Sequence, residues 1–310
     1  MNLKQKRVTW LIPVKNGMPY LPETLASIEA QTDKNWQVIV WNNGSTDDTV
    51  AELQKWIPSR LPGKVITGDP LSVGASLARM VEICDTEFCA RIDADDVNLP
   101  ERLEKQIAFL DAHPEVAVLG SKIHIIDASG VRTQEYTTPL DSNDIVHGLL
   151  SDNLIYHPSV MFRRLAILQV GNYQDLYPED YDLWLRVATR YKLANLDLAL
   201  VCYRVHSRST TQIAIAQNKS TPLTNKCFSK NASLLYGLSP KEAILLRECR
   251  HPFATIPLYR VAKHLHKTQG GKFRDIFLSK SFIISTRQLI SPRDIISRII
   301  WWILWYYLRY

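Results

Sequence analysis

Short apolar runs rich in β-branched and aromatic residues alternate with stretches of helical period along roughly the first 120 positions. Val8-Thr9-Trp10-Leu11-Ile12-Pro13-Val14 is such a run, and it breaks at Lys15-Asn16-Gly17, a turn signal. Leu21, Leu25 and Ile28 then fall at i, i+4 and i+7, with Pro22 and Glu23 suited to a first turn, which predicts a helix. A second strand is predicted over residues 36–41, breaking into Asn42-Asn43-Gly44-Ser45-Thr46-Asp47-Asp48 ahead of a helix through Val50, Leu53 and Trp56. Val65-Ile66-Thr67 reads as a third strand, and Ser72-Val73-Gly74 opens a helix carrying Leu77, Met80, Val81 and Cys84. A fourth strand follows from Phe88, then a helix with Pro100 early and Leu103, Ile107 and Leu110 inward, then a strand over 116–121. This alternation predicts an α/β fold with right-handed crossovers and a mostly parallel sheet whose loops gather at one edge. Beyond Gly130 the alternation stops, and after about residue 215 the pattern turns helical.

The fourth strand ends abruptly in Asp93-Ala94-Asp95-Asp96, delivering three carboxylates to the sheet edge where α/β proteins bind ligands. Taken alone, these residues favour a solvated acidic turn that caps the next helix. The other reading is that they tolerate one another because a hard divalent cation, Mg²⁺ or Mn²⁺, sits among them with substrate phosphates.

Hydrophobic residues make up 46% of the 310, enough to bury a sizeable core and to exclude global disorder. The five cysteines include no CxxC pair, which argues against a disulfide framework or a zinc site and suits a reducing compartment. The polar N-terminus running into a strand is expected to carry no signal peptide. From Arg250 onward eleven Lys or Arg meet two acids, Asp275 and Asp294, so the basic character of this +6 chain belongs to its tail.

Five segments in order resemble the family 2 inverting glycosyltransferases of GT-A fold: Ile12-Pro13-Val14-Lys15-Asn16-Gly17, Ser27-Ile28-Glu29-Ala30-Gln31-Thr32, Asn43-Gly44-Ser45-Thr46-Asp47, Asp93-Ala94-Asp95-Asp96, and Pro178-Glu179-Asp180-Tyr181-Asp182-Leu183-Trp184-Leu185-Arg186. The resemblance covers about residues 7 to 206. It implies a Rossmann-like sheet flanked by helices, with a nucleotide-sugar donor contacted by Pro13, Asn16, Asn43, Ser45, Gly74, Arg91, Asp93 and Ala94. It implies a Mn²⁺ or Mg²⁺ ion on Asp95, Asp96 and His206, and a general base at Asp180 beside Glu179. Read without the resemblance, Glu179-Asp180 is a charge pair favoured by a helix dipole, and His206 is a surface histidine after a strand. His157 reads as a satisfied structural histidine, although Tyr156-His157-Pro158-Ser159 resembles an acceptor-side segment of bacterial members. One departure stands out. The family commonly has two Asp before Gly-Ser where this chain has Asn42-Asn43, so the nucleotide is less fixed than the reaction; a UDP-sugar is the first expectation.

The division expected is a transferase domain at 1–215, with a donor half to about 120 and an acceptor half from about 121, followed by a helical region at 216–310. The apolar run from Ile299 to Leu308 is far short of the ~20 residues of a spanning helix. Its Trp and Tyr residues, flanked by Arg and Lys, suit an in-plane anchor on an anionic membrane, with packing on protein as the rival. Nucleic acid is disfavoured because the aromatics clump with Ile and Leu. The expected enzyme is a hexosyltransferase-type protein, peripheral at the cytoplasmic face of the inner membrane, acting on a glycan or lipid-linked acceptor. A nucleotidyltransferase, which would release pyrophosphate, and a non-catalytic nucleotide-sugar-binding scaffold are the rivals.

Overall fold

The computed structural model of the protein describes residues 6–217, 220–270 and 272–309. The donor half runs β1 (Val8–Val14), α1 (Leu21–Glu29), β2 (Trp36–Asn42), α2 (Thr49–Trp56), β3 (Gly63–Thr67), α3 (Val73–Ile83), β4 (Phe88–Arg91), β5 (Val97–Asn98) and α4 (Arg102–Ala112). Every β1 residue is buried, as befits a central strand covered on both faces. Val8 lies opposite Trp36 on one side and Phe88 on the other, both in parallel register. Leu21, Leu25 and Ile28 are fully buried, so the helical period read from the sequence faces the core. Ser72 caps α3, its hydroxyl accepting the Ala75 N–H at 3.1 Å. Pro100 precedes α4, which starts after a turn closed by Arg102 N–H on the Leu99 carbonyl.

The chain continues with β6 (Val116–Ile126), β7 (Arg132–Tyr136), α5 (Ser142–Gly148), a 3₁₀ turn at His157–Ser159, β8 (Met161–Arg163), α6 (Arg164–Gln169), α7 (Glu179–Val187) and β9 (Lys192–Arg204). One nine-stranded sheet results, ordered β3-β2-β1-β4-β8-β6-β9-β5, with β7 on β6. The antiparallel strand β8 lies between β4 and β6 and so leaves β6 and β9 running with β1 to β4. β6 runs five residues past the predicted stretch because β9, far away in sequence, pairs with it as far as Ile126–Arg204.

The last third is helical: α8 (Thr210–Ala216), α9 (Ser220–Tyr236), α10 (Pro240–Arg247), α11 (Thr255–Gln269), α12 (Phe273–Leu278), α13 (Lys280–Leu289) and α14 (Ile295–Arg309). Helices α9 to α14 share one continuous apolar core with α5 and α7. Two polar ties reach the start of α7. Asn231 Nδ2 donates to Asp182 Oδ1 at 2.9 Å, and Arg247 Nη1 donates to the Tyr181 hydroxyl at 3.2 Å and the Leu150 carbonyl at 3.0 Å. Among the described residues no helix is long and apolar enough to cross a membrane.

Candidate active site

The loops at the C-terminal ends of β1, β2 and β4 meet at one rim. Asn16 takes a left-handed conformation (φ 54°), and its Oδ1 accepts the Thr46 N–H at 2.8 Å while its own N–H donates to Ser45 Oγ at 2.9 Å. Asn43 is buried; its amide donates to Ser76 Oγ at 3.0 Å and its carbonyl accepts the Leu71 N–H at 3.0 Å. The Asn side chain thus pins the β3–α3 loop, a task that uses its donor and its acceptor together. Pro13 lies within β1 opposite Trp41, whereas Asn16, Ser45 and Ala94 reach the rim.

Carboxylate oxygens of Asp93, Asp95 and Asp96 lie within 4.8 Å of one another. Asp96 is fully buried; Oδ1 accepts the Arg204 N–H at 2.7 Å, and Oδ2 has no partner. Burial, then the neighbouring Asp95 and Asp93 charges, pushes Asp96 well above the usual carboxylate range. Asp95 Oδ2 meets His206 Nε2 at 2.8 Å, and the His206 ring lies 4.9 Å from that of Tyr20. An orphaned buried oxygen and two further carboxylates form a hard donor set that fits a divalent cation such as Mn²⁺ or Mg²⁺, with the His206 imidazole next to it on Asp95.

Asp93 also forms a two-pronged ion pair with Arg91, the last residue of β4. Arg91 is buried, pairs with Asp93 and also feels the negative charge of Glu179. Glu179 and Asp180 open α7, where the helix dipole favours negative charge. Asp180 accepts from Asn153 Nδ2 at 2.7 Å and from the Tyr181 N–H at 2.8 Å, while burial raises its pKa above the ordinary Asp value. His157 lies 3.5 Å from Glu179 and 2.9 Å, through Nε2, from the Tyr173 hydroxyl. Burial and the Arg91 charge hold its pKa down at about 3, so it is a neutral ring between Glu179 and Tyr173. Gly74 packs against this segment, since a Cβ there would stand 2.3 Å from the Gln174 carbonyl oxygen and 3.0 Å from Glu179 Cβ.

Of the residues singled out in the sequence, Arg91, Asp93, Asp95, Asp96, Glu179, Asp180 and His206 converge, with Asn16, Ser45 and Ala94 along the same rim. Sequence reasoning missed Asn153, which carries no local signal. It also missed Arg204, whose guanidinium holds the Asp95 carbonyl at 2.8 Å, pairs with Glu23 and lies over the Tyr20 ring. A lone Arg at a strand end was the only trace of it. Arg102, buried under the same rim, donates to the carbonyls of Arg91 at 2.9 Å and Val160 at 3.0 Å, which fixes the end of β4.

The model of glycosyl transferase family 2 matches residues 9–170. Over 190 residues the chain is 32% identical to the amylovoran biosynthesis glycosyltransferase AmsE of Erwinia amylovora, covering 60% of this chain and 71% of that protein. Over 225 residues it is 29% identical to the O-antigen biosynthesis glycosyltransferase WbnJ of Escherichia coli, covering 71% of this chain and 88% of that one. Among solved structures, S. aureus TarS 1–349 in complex with UDP-GlcNAc is 17% identical, with a TM-score of 0.58 over 87% of this chain and 81% of that one. The mannosyltransferase PcManGT of Pyrobaculum calidifontis, solved with GDP-Man and Mn²⁺, is 16% identical, with a TM-score of 0.59 over 96% and 87%. At these identities the structural likeness speaks for the GT-A fold, while the family model spans more than half of the chain. The chain is a glycosyltransferase belonging to glycosyl transferase family 2.

Proposed function

We propose that this enzyme moves a sugar from a nucleotide-sugar, in the first instance a UDP-sugar, to a saccharide or lipid-linked acceptor with inversion and with a divalent metal. The setting is bacterial cell-surface polysaccharide synthesis at the cytoplasmic face of the membrane. The observation that carries this reading is the buried Arg91, which pairs with Asp93 and lies within reach of the Glu179 charge, because it relates the three-carboxylate rim to the Glu179–Asp180 pair. Asp95, Asp96 and His206 are the residues that would hold the metal. When bound, such a cation neutralises charge growing on the diphosphate leaving group.

The chain's own groups do the rest. Asp180, raised by burial and aimed by Asn153, takes the proton of the acceptor hydroxyl as that oxygen attacks C1 of the sugar. The C1–oxygen bond to the diphosphate breaks, its electrons leave with the nucleoside diphosphate, and one displacement inverts the anomeric centre. No enzyme nucleophile is needed. The Arg91–Asp93 pair and the Asn16–Ser45 loop line the donor side. Residues 1–215 form the transferase unit in this reading, and 216–310 brace α7 from behind.

The test is transfer from UDP-, dTDP- and GDP-sugars with and without Mn²⁺, read as nucleoside diphosphate release and product anomer. Asp180→Asn is expected to slow turnover by about 10²–10⁴-fold, the usual range for removing a general base. Asp95→Ala is expected to abolish the stimulation by metal. Near-normal turnover in both variants would overturn the roles assigned here.

A further inference from the structure

Helix α14 has two apolar sides. Ser297, Trp301 and Leu304 face inward, and Trp301 is only 6% exposed among Phe277 and Phe282. On the opposite side Ile295, Ile299, Trp302 and Tyr306 fall at i, i+4, i+7 and i+11, one outward stripe. Trp302 is 62% exposed and the neighbouring Tyr307 77%. A surface helix of a water-facing protein carries charged residues there. The stripe does not stop at α14. The Ala254 N–H donates to Asp294 and the Thr255 hydroxyl meets Ser297, so the exposed Phe253 and Ile256 stand beside the first turn of α14.

We infer that this outer face of α14 lies in the headgroup layer of an anionic lipid bilayer as an in-plane anchor. Charge selects the occupant. Residues 250–310 carry nine more positive than negative charges, whereas the preceding residues are net negative, and Arg287, Arg293 and Arg298 are exposed around the stripe. A second copy seated on the same face would set two such basic tails against each other. The surface of an anionic bilayer attracts them instead. Ring chemistry agrees, because Trp and Tyr settle where apolar chains meet headgroups. So does length, because the 15 residues of α14 span about 22 Å, less than the hydrocarbon core. Neither signal suffices alone, and an apolar stripe with a basic rim supplies both. The inference deepens the proposed function by placing a lipid-linked acceptor's own surface beside the enzyme, and it rests on that reading for this purpose only.

The experiment is flotation of the purified full chain with phosphatidylcholine vesicles, with and without phosphatidylglycerol. The protein is expected to rise with the anionic vesicles and to be released by high salt. Ile299→Ser, Trp302→Ser and Tyr306→Ser combined, and separately Arg293→Glu with Arg298→Glu, should each lower partitioning roughly tenfold or more at an unchanged melting temperature. Wild-type protein that stays unbound, or charge-reversed protein that floats equally well, overturns the inference. So does a dimer in gel filtration that the serine variant dissociates, because a second copy then covers the face. Flotation uses no substrate, so nucleotide-sugar cleavage in the same fractions reports separately on the catalytic reading.

Discussion

At the rim, Asp93, Asp95 and Asp96 crowd within 4.8 Å around an unpartnered Asp96 oxygen, whereas the stack of α12 to α14 closes on the rings of Phe277, Phe282 and Trp301. The rim's groups repel one another and are held from outside, by Arg204, Arg91 and the helix dipole of α7. The stack's groups attract one another, and α9 and α10, which share its core, hold α7 through Asn231 and Arg247. The difference teaches that a rim whose charges repel is supported by apolar packing elsewhere, tied to it through α7. This is the arrangement expected where function requires unfavourable local chemistry.

The largest break in this contrast is Trp301→Ala. Emptying the aromatic cluster is expected to cost about 3–5 kcal/mol, read as a lower urea midpoint, while the folded fraction keeps its Mn²⁺ affinity by calorimetry. Loss of metal binding by the folded fraction would show that the two regions are not separable.

Next is a pair of neutral imidazoles, one in each region. His147 in α5 meets Ser279 at 2.9 Å and packs edge-on against Phe282, and burial lowers its pKa from 6.5 to about 4. The unfolded ring is protonated below about 6.5 and the folded one only below about 4. Stability is therefore complete above pH 6.5 and declines as pH falls toward 4, by at most about 3 kcal/mol. His157 in the cleft has the same sign, with its loss continuing down to about 3. His147→Gln should lessen the fall of the melting temperature between pH 6.5 and 4 without moving the pH profile of transfer, and His157→Gln should move that profile as well.

The smallest effect, and the sharpest, is Asp96→Asn. Asparagine keeps an oxygen for the Arg204 N–H and removes a charge that burial and two carboxylates disfavour. Metal-free protein in EDTA should gain about 1 kcal/mol in thermal melts, and stabilisation by added Mn²⁺ should disappear. A lower melting temperature in EDTA would mean that the Asp96 charge is already compensated without metal.

What the sequence disclosed follows from range. β1, α1, β2 and α3 were legible because Leu21, Leu25 and Ile28, or Leu77, Met80 and Val81, signal burial through local period alone. The acid cluster was legible because its members are neighbours in the chain. Arg204 was not, because its value lies in reaching Asp96 across 108 positions, and only the pairing of β9 with β6 and β5 brings it there. Gly74 shows the intermediate case. The sequence marks a place where a side chain is unwelcome, but only the fold reveals that the Gln174 carbonyl takes the space. The outer face of α14 was half legible: its composition was plain, but which of its residues turn inward depends on where Phe277 and Phe282 stand.

The grip on Asp96 has one more consequence. Its main-chain carbonyl accepts the Thr24 hydroxyl and its carboxylate the Arg204 N–H, so this one residue is fastened by segments made about 180 residues apart. A nascent chain still short of residue 206 at the ribosome therefore carries the acids without the strand that clamps them. In biosynthesis the clamp on the Asp93–Asp96 acids is therefore among the last contacts of the sheet to form.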